Sequence, residues 1–148
     1  MTKENIINHL KTLLDARMKV AWDAMQAAQA SANEEGKSSA GDKYETSRAM
    51  GQIERDMHAR QFENIRQERN ILERISPNST FVQAGLGALV TTTLGEFFIS
   101  VSLGIVELEG QKIMAISQQS PIGVLLMGKK VGQSFHFQNK EVLIKALG

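Results

Sequence analysis

Two acidic residues three positions apart, Asp42 and Glu45, have the clearest chemical potential in this chain. They follow Gly41 at the start of a segment with helical periodicity. An acid followed three residues later by glutamate is the capping-box pattern, in which side-chain oxygens accept hydrogen bonds from free N–H groups at a helix start. Carboxylate oxygens are also ligands that Mg²⁺ prefers. The two interpretations are compatible, because a cap at the turn of a helical hairpin also places both carboxylates at the hairpin's end.

The elements that must position these acids are two predicted helices. Residues 3–30 contain no glycine or proline, and their apolar residues recur near the 3.5-residue spacing of packed helix pairs. Residues 31–41 form a polar turn, and a second helix is predicted from about Asp42 to Ile75. The result is an antiparallel coiled-coil hairpin about 45 Å long. The predicted inner faces are Ile6, Leu10, Leu13, Val20 and Ala24 or, in parallel, Ile7, Leu10, Leu14, Ala21, Ala24 and Ala28 on the first helix, and Met50, Ile53, Met57, Ile65, Leu72 and Ile75 on the second.

The second half of the chain has a different character. A turn-rich cluster at residues 76–79 can end the helix, so we predict a hairpin domain over 1–76 and a second domain over 77–148. Strands are predicted at 87–93, 96–102, 112–116, 134–138 and 141–145, with turns at 94–95 and 139–140. Ser120 as N-cap, Pro121 at the first helical position and Gly128 as a left-handed end predict one short helix. The fold class is α+β, a helical hairpin followed by a small antiparallel sheet.

Composition excludes several classes of function. The chain has 148 residues, of which 42% are hydrophobic and 22% charged, as in ordinary soluble domains. It has no cysteine, which excludes disulfides, thiolate zinc sites and cysteine nucleophiles. A net charge of +1 gives no general attraction to nucleic acid, and no recognition-helix pattern predicts sequence-specific DNA binding. Without a secretory leader or a long apolar run, we expect a cytoplasmic monomer with no membrane contact.

The longest motif reads ISQQSPIG over residues 116–123 and LMGKKVG over residues 126–132. It resembles the I-S-x-x-S-P-[IL]-[GA]-x-x-[LM]-[LM]-G-K-x-x-G signature of the Gre family of bacterial transcript-cleavage and elongation factors. In that family an N-terminal hairpin carries a G-D-x-x-E-N tip, and residues 41–46 here read GDKYET. The glycine and both acids match, whereas Thr46, Arg48 and Ala49 differ from the usual asparagine, glutamate and tyrosine. Residues 104–111 are shorter than the loop common in the family at this place.

The resemblance implies a partner and a role. The second domain would be FKBP-like and would dock on the rim of the secondary channel of bacterial RNA polymerase through the segment Ser120, Pro121, Ile122 and Gly123. The hairpin would enter the channel and reach the 3′ end of the nascent RNA. There Asp42 and Glu45 would help hold the second Mg²⁺, shared with the polymerase and not bound stably by this chain alone, for cleavage of backtracked RNA. The chain would be a catalytic accessory without enzymatic activity of its own.

Arginines on the second helix have two interpretations. Arg48 and Arg55, seven residues apart near the tip, are candidates to meet RNA phosphates. The alternative is a solvated, ion-paired face, because acid–arginine pairs recur at helical spacing. These pairs are Glu45–Arg48, Asp56–Arg60, Glu63–Arg66 and Arg69–Glu73.

Three functions are compatible with the sequence. The first is an elongation factor that stimulates RNA cleavage, which the acid pair favours. The second is a Gre-like regulator that binds the same channel and modulates or inhibits transcription without stimulating cleavage, which the altered residues after Glu45 favour. The third is a coiled-coil adaptor unrelated to transcription.

Overall fold

The computed structural model describes residues 2–35 and 41–148, with side chains at 2–33 and 45–148. Two long helices precede a six-stranded sheet and a short helix, which confirms the predicted α+β class. No helix in the described ranges is long and apolar enough to cross a membrane. The elements in chain order are α1 (Lys3–Glu35), α2 (Gly41–Glu73), β1 (Leu89–Thr92), β2 (Gly95–Ile99), β3 (Gly104–Leu108), β4 (Gln111–Ile116), α3 (Pro121–Leu126), β5 (Ser134–Phe137) and β6 (Lys140–Leu147).

The described chain forms two compact units. One consists of Thr12–Arg69, and the other combines the segment up to Lys11 with Asn70–Gly148. The second of these contains the sheet and the bases of both long helices, including the fully buried Leu10 and Leu72. Residue 76 lies inside this unit. The predicted domain boundary at residue 76 therefore remains a prediction, namely that residues 1–76 and 77–148 fold independently.

The sheet is mixed rather than antiparallel. Its strand order is β3-β4-β2-β1-β6-β5, and β2 pairs with β4 in parallel while the other pairs are antiparallel. The difference arises from β3, which occupies the segment interpreted as a loop. Because β3 and β4 form a hairpin beside β2, β4 runs in the same direction as β2. A strand of five residues bounded by Gly104 and Leu108 has too few alternating positions to stand out in sequence.

The turn between β5 and β6 lies one residue earlier than predicted. Phe137 pairs with Lys140, and the two residues between them, Gln138 and Asn139, have φ of 51° and 65°. Positive φ at both central positions is typical of a type I′ turn, whose twist matches that of the flanking strands. Asparagine tolerates this conformation better than most residues, which explains its position here.

The first long helix continues further than predicted, and its buried face is the alanine row. α1 ends at Glu35, whereas the sequence predicted a turn from residue 31. The second of the two predicted rows is confirmed at its buried members, which are Ile7, Leu10, Leu14, Ala21 and Ala28. Val20 is 70% exposed, so the first row is wrong at that position.

The predicted inner face of α2 is wrong over its first half. Met50, Ile53 and Met57 are 65%, 67% and 42% exposed. The positions that pack toward α1 are instead half-buried or buried and alternate at spacings of four and three, the coiled-coil pattern. They are Gly51, Arg55, His58, Phe62, Ile65, Arg69 and Leu72.

Close approach of the helices explains this choice of face. A Cβ added to Gly51 would lie 2.9 Å from the Cβ of Ala32 and 3.3 Å from its Cα. Further along the hairpin, the rings of Trp22 and Phe62 meet with centroids 5.5 Å apart. Small residues near the turn therefore allow backbone contact, and the apolar spacing at Met50 alone could not reveal it.

Candidate functional site

The acid pair lies within the first five residues of α2. The helix begins at Gly41, so Asp42 is inside the helix and the N-cap position falls outside the described residues, as does the side chain of Asp42. Glu45 is described and exposed. Residues three apart are neighbours on a helix surface, and the N-terminal end of a helix carries partial positive charge that favours anions. The backbone thus places two carboxylate-bearing positions side by side at a favourable end.

The hairpin holds this pair far from its own base. Arg69 Nε donates to Asp15 Oδ1 at 3.0 Å and joins α2 to α1. From Arg69 to Asp42 the helix extends for about 40 Å, at 1.5 Å per residue, and two packed helices are about 20 Å wide. The acids therefore stand at the end of a narrow two-helix rod.

Carboxylates are one of the ligand types that divalent cations take in proteins. Mg²⁺ takes six oxygen ligands and is usually bound by one or two protein carboxylates together with oxygens from elsewhere. Asp42 and Glu45 are two carboxylate-bearing residues at adjacent positions of the helix surface. Among the side chains that the structure describes, no group of three or more His, Cys, Asp or Glu residues is placed to hold a metal ion.

Three arginines of α2, Arg55, Arg66 and Arg69, form ion pairs. Arg55 Nη1 lies 3.1 Å from Asp56 Oδ1, and Arg48 is exposed nearer the tip. The predicted Glu63–Arg66 pair is present, and its hydrogen bond holds the pKa of Glu63 below the usual value. The RNA contacts of Arg48 and Arg55 remain predictions. For Arg55, the structure agrees with the alternative interpretation, an ion-paired and solvated helix face.

The serine–proline motif builds helix α3. Ser120 is the N-cap, and its Oγ accepts from Gly123 N at 3.0 Å and donates to Ser117 O at 2.7 Å. Gly128 has a φ of 79°, as the predicted left-handed end requires. A Cβ on Gly123 would lie 2.1 Å from Ser117 O, which only glycine avoids. These residues therefore have structural roles, whether or not they also bind a partner.

An apolar cavity of about 440 Å³ lies beside this helix. The register of the parallel strands creates it, because Phe97 of β2 is opposite Met114 of β4, and Ile122 of α3 is at its wall. A smaller cavity of about 210 Å³ shares Leu94, Phe97 and Met114. No sequence spacing predicted this site, since its residues come from separate elements whose parallel pairing was not foreseen. The larger cavity is lined by Leu94, Phe97, Met114, Ile122, Phe137, Gln138 and Lys140.

Comparison with known proteins gives a remote structural likeness. No protein-family model matches the sequence, and no curated protein gives a significant match. A solved structure of the transcription factor Gfh1 matches 93% of this chain over 92% of its own length, with 22% identity and a TM-score of 0.36. A match at this identity and TM-score carries no functional information. Function must therefore be inferred from the residues of the chain itself.

Proposed function

We propose that this chain binds bacterial RNA polymerase in the manner of the Gre family and stimulates cleavage of backtracked RNA. The observation that carries the proposal is the position of Asp42 and Glu45 within the first five residues of α2, at the end of a rod about 20 Å wide. If the two acids served only to stabilise the helix start, they would not need to lie at the end of a long, narrow hairpin. A rod that lends carboxylates through a narrow opening needs both features together.

Each tip residue has a defined task in this proposal. Asp42 and Glu45 donate carboxylate oxygens, and the partial positive charge of the helix end keeps negative charge favourable there. Mg²⁺ held between these oxygens and the polymerase would supply Lewis-acid stabilisation of the phosphate oxygens during cleavage. The polymerase contributes the remaining ligands, so the chain alone has no activity.

Docking belongs to the sheet-containing unit. Ile122 lines the apolar cavity, and Leu94 borders both cavities and is 42% exposed. An apolar side chain of the polymerase inserted into this cavity would bury the exposed part of Leu94, and each fully buried aliphatic side chain contributes about 1.5–3 kcal/mol.

A Gre-like regulator that enters the channel without stimulating cleavage is the second candidate. Arg48 favours it, because this exposed cation lies three residues after Glu45 on the same helix. A guanidinium at that spacing competes with a metal ion for the carboxylate. The protein would then occupy the channel without lending an effective metal ligand.

A cleavage assay on stalled, backtracked complexes tests the proposal. Asp42→Asn and Glu45→Gln preserve size but remove a metal-binding charge, so each should lower the cleavage rate at least tenfold with nearly unchanged polymerase affinity. Raised Mg²⁺ should restore part of the activity. Glu54→Gln, an exposed position further along α2, is the matched control and should cleave like the wild type.

The outcomes separate the two candidates from simple capping. If both tip variants cleave like an active wild type, the acids act only at the helix start, where the loss of charge costs about 0.3–1 kcal/mol. If the wild type binds polymerase without stimulating cleavage, the regulator is correct. For docking, Leu94→Glu should weaken polymerase binding, whereas Val82→Glu, at an 86% exposed position, should not. Absence of polymerase binding by the wild type would refute both candidates.

A further inference from the structure

The two long helices approach each other closely near the end of the hairpin that carries the acids. Ala32 of α1 is 2% exposed, and a Cβ added to Gly51 of α2 would lie 2.9 Å from its Cβ. Both residues belong to the Thr12–Arg69 unit. Glycine is a poor helix former, so its place inside a helix of 33 residues is explained by this close approach. We call the contact of Gly51 with Ala32 the tip crossing.

The tip crossing is close to both acids along α2. Gly51 follows Glu45 by six residues and Asp42 by nine. At 1.5 Å per residue these separations are about 9 Å and about 13.5 Å. A helix without a kink curves only gently over such lengths. A movement of α2 at the crossing is therefore passed on to the backbone of both acids.

We propose that Gly51 and Ala32 are positioning residues for the metal-lending acids. This inference rests on the proposed function, because it gives the tip crossing a task in delivering Asp42 and Glu45 to the shared Mg²⁺. The missing Cβ of Gly51 lets α2 lie directly against α1, and the buried methyl group of Ala32 limits how far α2 can roll or slide. The backbone of both acids is thereby held in one place relative to α1.

One added methyl group at the crossing would displace the acids by a distance that matters for catalysis. Carbon atoms pack best at about 3.5–4.0 Å, so the approach of 2.9 Å would have to open by about 0.6–1.1 Å. Further toward the base, the rings of Trp22 and Phe62 are in contact. Gly51, Glu45 and Asp42 precede Phe62 by 11, 17 and 20 residues. If α2 pivots at Phe62, the displacement therefore grows to about 1–2 Å at the acids. A misplacement of about 1 Å can lower a catalytic rate about 100-fold.

Cleavage of stalled, backtracked complexes by full-length variants tests this role. Gly51→Ala should lower the cleavage rate about tenfold or more and raise the Mg²⁺ concentration for half-maximal cleavage, with nearly unchanged polymerase affinity. In the double variant Gly51→Ala/Ala32→Gly the crossing again holds a single methyl group, so most of the activity should return.

Ala21→Gly is the matched control for hairpin stability. It introduces a helical glycine at a buried position of the same hairpin, further from the acids, and it should cleave like the wild type. Trp22 fluorescence checks that the hairpin of each variant is folded under the assay conditions, because Trp22 packs on Phe62 within this unit.

A distance between two spin labels measures the geometry of the hairpin end without the polymerase. The chain has no cysteine, so Ala30→Cys on α1 and Ala49→Cys on α2, both at exposed positions, can be labelled selectively. Double electron–electron resonance should show a mean distance changed by about 1 Å when Gly51→Ala is added. The further change Ala32→Gly should bring the distance back toward the wild-type value.

The outcomes distinguish this inference from the proposed function. A wild type that does not stimulate cleavage would refute the proposed cleavage role, and the positioning role with it. An active wild type matched by Gly51→Ala would refute the positioning role alone, as would an unchanged label distance in Gly51→Ala. An equal loss of cleavage in Ala21→Gly, or no recovery in the double variant, would show that only the stability of the hairpin matters and would also overturn the inference.

Discussion

Replacement of Gly51 by alanine should have opposite effects on stability in two backgrounds. In the wild-type chain the new Cβ would lie 2.9 Å from the Cβ of Ala32, a rigid neighbour. Overpacking of this kind costs about 1–3 kcal/mol, while alanine gains up to about 1 kcal/mol of helix propensity over glycine. The overlap outweighs the propensity, so we expect Gly51→Ala to destabilise the hairpin by up to about 2 kcal/mol.

Ala32→Gly removes the atom that causes the overlap. In that background the closest remaining approach is 3.3 Å, to the Cα of residue 32, which a shift of a few tenths of an ångström relieves. Gly51→Ala should then stabilise the hairpin, by less than about 1 kcal/mol, because the propensity term outweighs this smaller overlap. The coupling between the two sites is then about 1–3 kcal/mol, as found for residues in direct contact. Ala32→Gly alone should be destabilising, since it adds a helical glycine.

Urea denaturation of the four proteins measures this cycle. The single tryptophan, Trp22, packs on Phe62 within the Thr12–Arg69 unit, so its fluorescence reports on the hairpin rather than on the sheet. This local probe matters because a chain with two compact units need not unfold in one step. If Gly51→Ala has the same sign in both backgrounds, the helices do not approach at this point as described.

Two further predictions concern stability. Gly123→Ala would place a Cβ 2.1 Å from Ser117 O and should cost about 3 kcal/mol or more, seen as a lower urea midpoint by far-UV circular dichroism. Burial raises the pKa of Glu68, and the charge of Arg17 offsets this only in part. Because the pKa of Glu68 is higher in the folded than in the unfolded protein, protonation of its carboxyl favours the folded state. This contribution to the free energy of unfolding is fully present below the unfolded pKa and is lost as pH rises through the folded pKa. Glu68→Gln should therefore weaken the pH dependence of the Trp22 unfolding midpoint on the acid side, and an unchanged profile would contradict the burial of this carboxyl.

Regular periodicity predicted the elements of the hairpin but not all of its contacts. The alanine row through Ala21 and Ala28 was identified because its spacing continues for several turns. On α2, the apolar set that begins at Met50 has the same spacing as a seam, yet the helices meet at Gly51 and leave it outside. A periodic pattern identifies a surface that packs, and it does not say whether the partner is the neighbouring helix or another molecule.

The candidate sites also differ in whether their residues are close together in the sequence. The acid pair and the serine–proline motif are local, so their positions on a helix start and a short helix followed from the sequence. The apolar cavity beside α3 did not, because it depends on Phe97 facing Met114 across a parallel pair. That pair exists only because β3 turns β4 back beside β2. A site whose residues come from different strands cannot be predicted from the spacing of residues along the sequence, because it depends on the order of the strands in the sheet.

Replacement of Arg48 tests how the tip acid works, because the sign of its effect distinguishes two roles. It lies three residues after Glu45, and pairs at this spacing contribute about 0.2–0.5 kcal/mol. If its charge competes with Mg²⁺ for Glu45, Arg48→Gln should lower the Mg²⁺ concentration for half-maximal cleavage by about 1.5- to 2-fold. If Arg48 instead binds RNA phosphate, the same change should slow cleavage at every Mg²⁺ concentration, with no lower requirement for the ion. Arg60→Gln, further from the tip, is the matched control. An Arg48→Gln protein that matches the wild type in both respects would remove this residue from the mechanism and leave the two carboxylates to account for it alone.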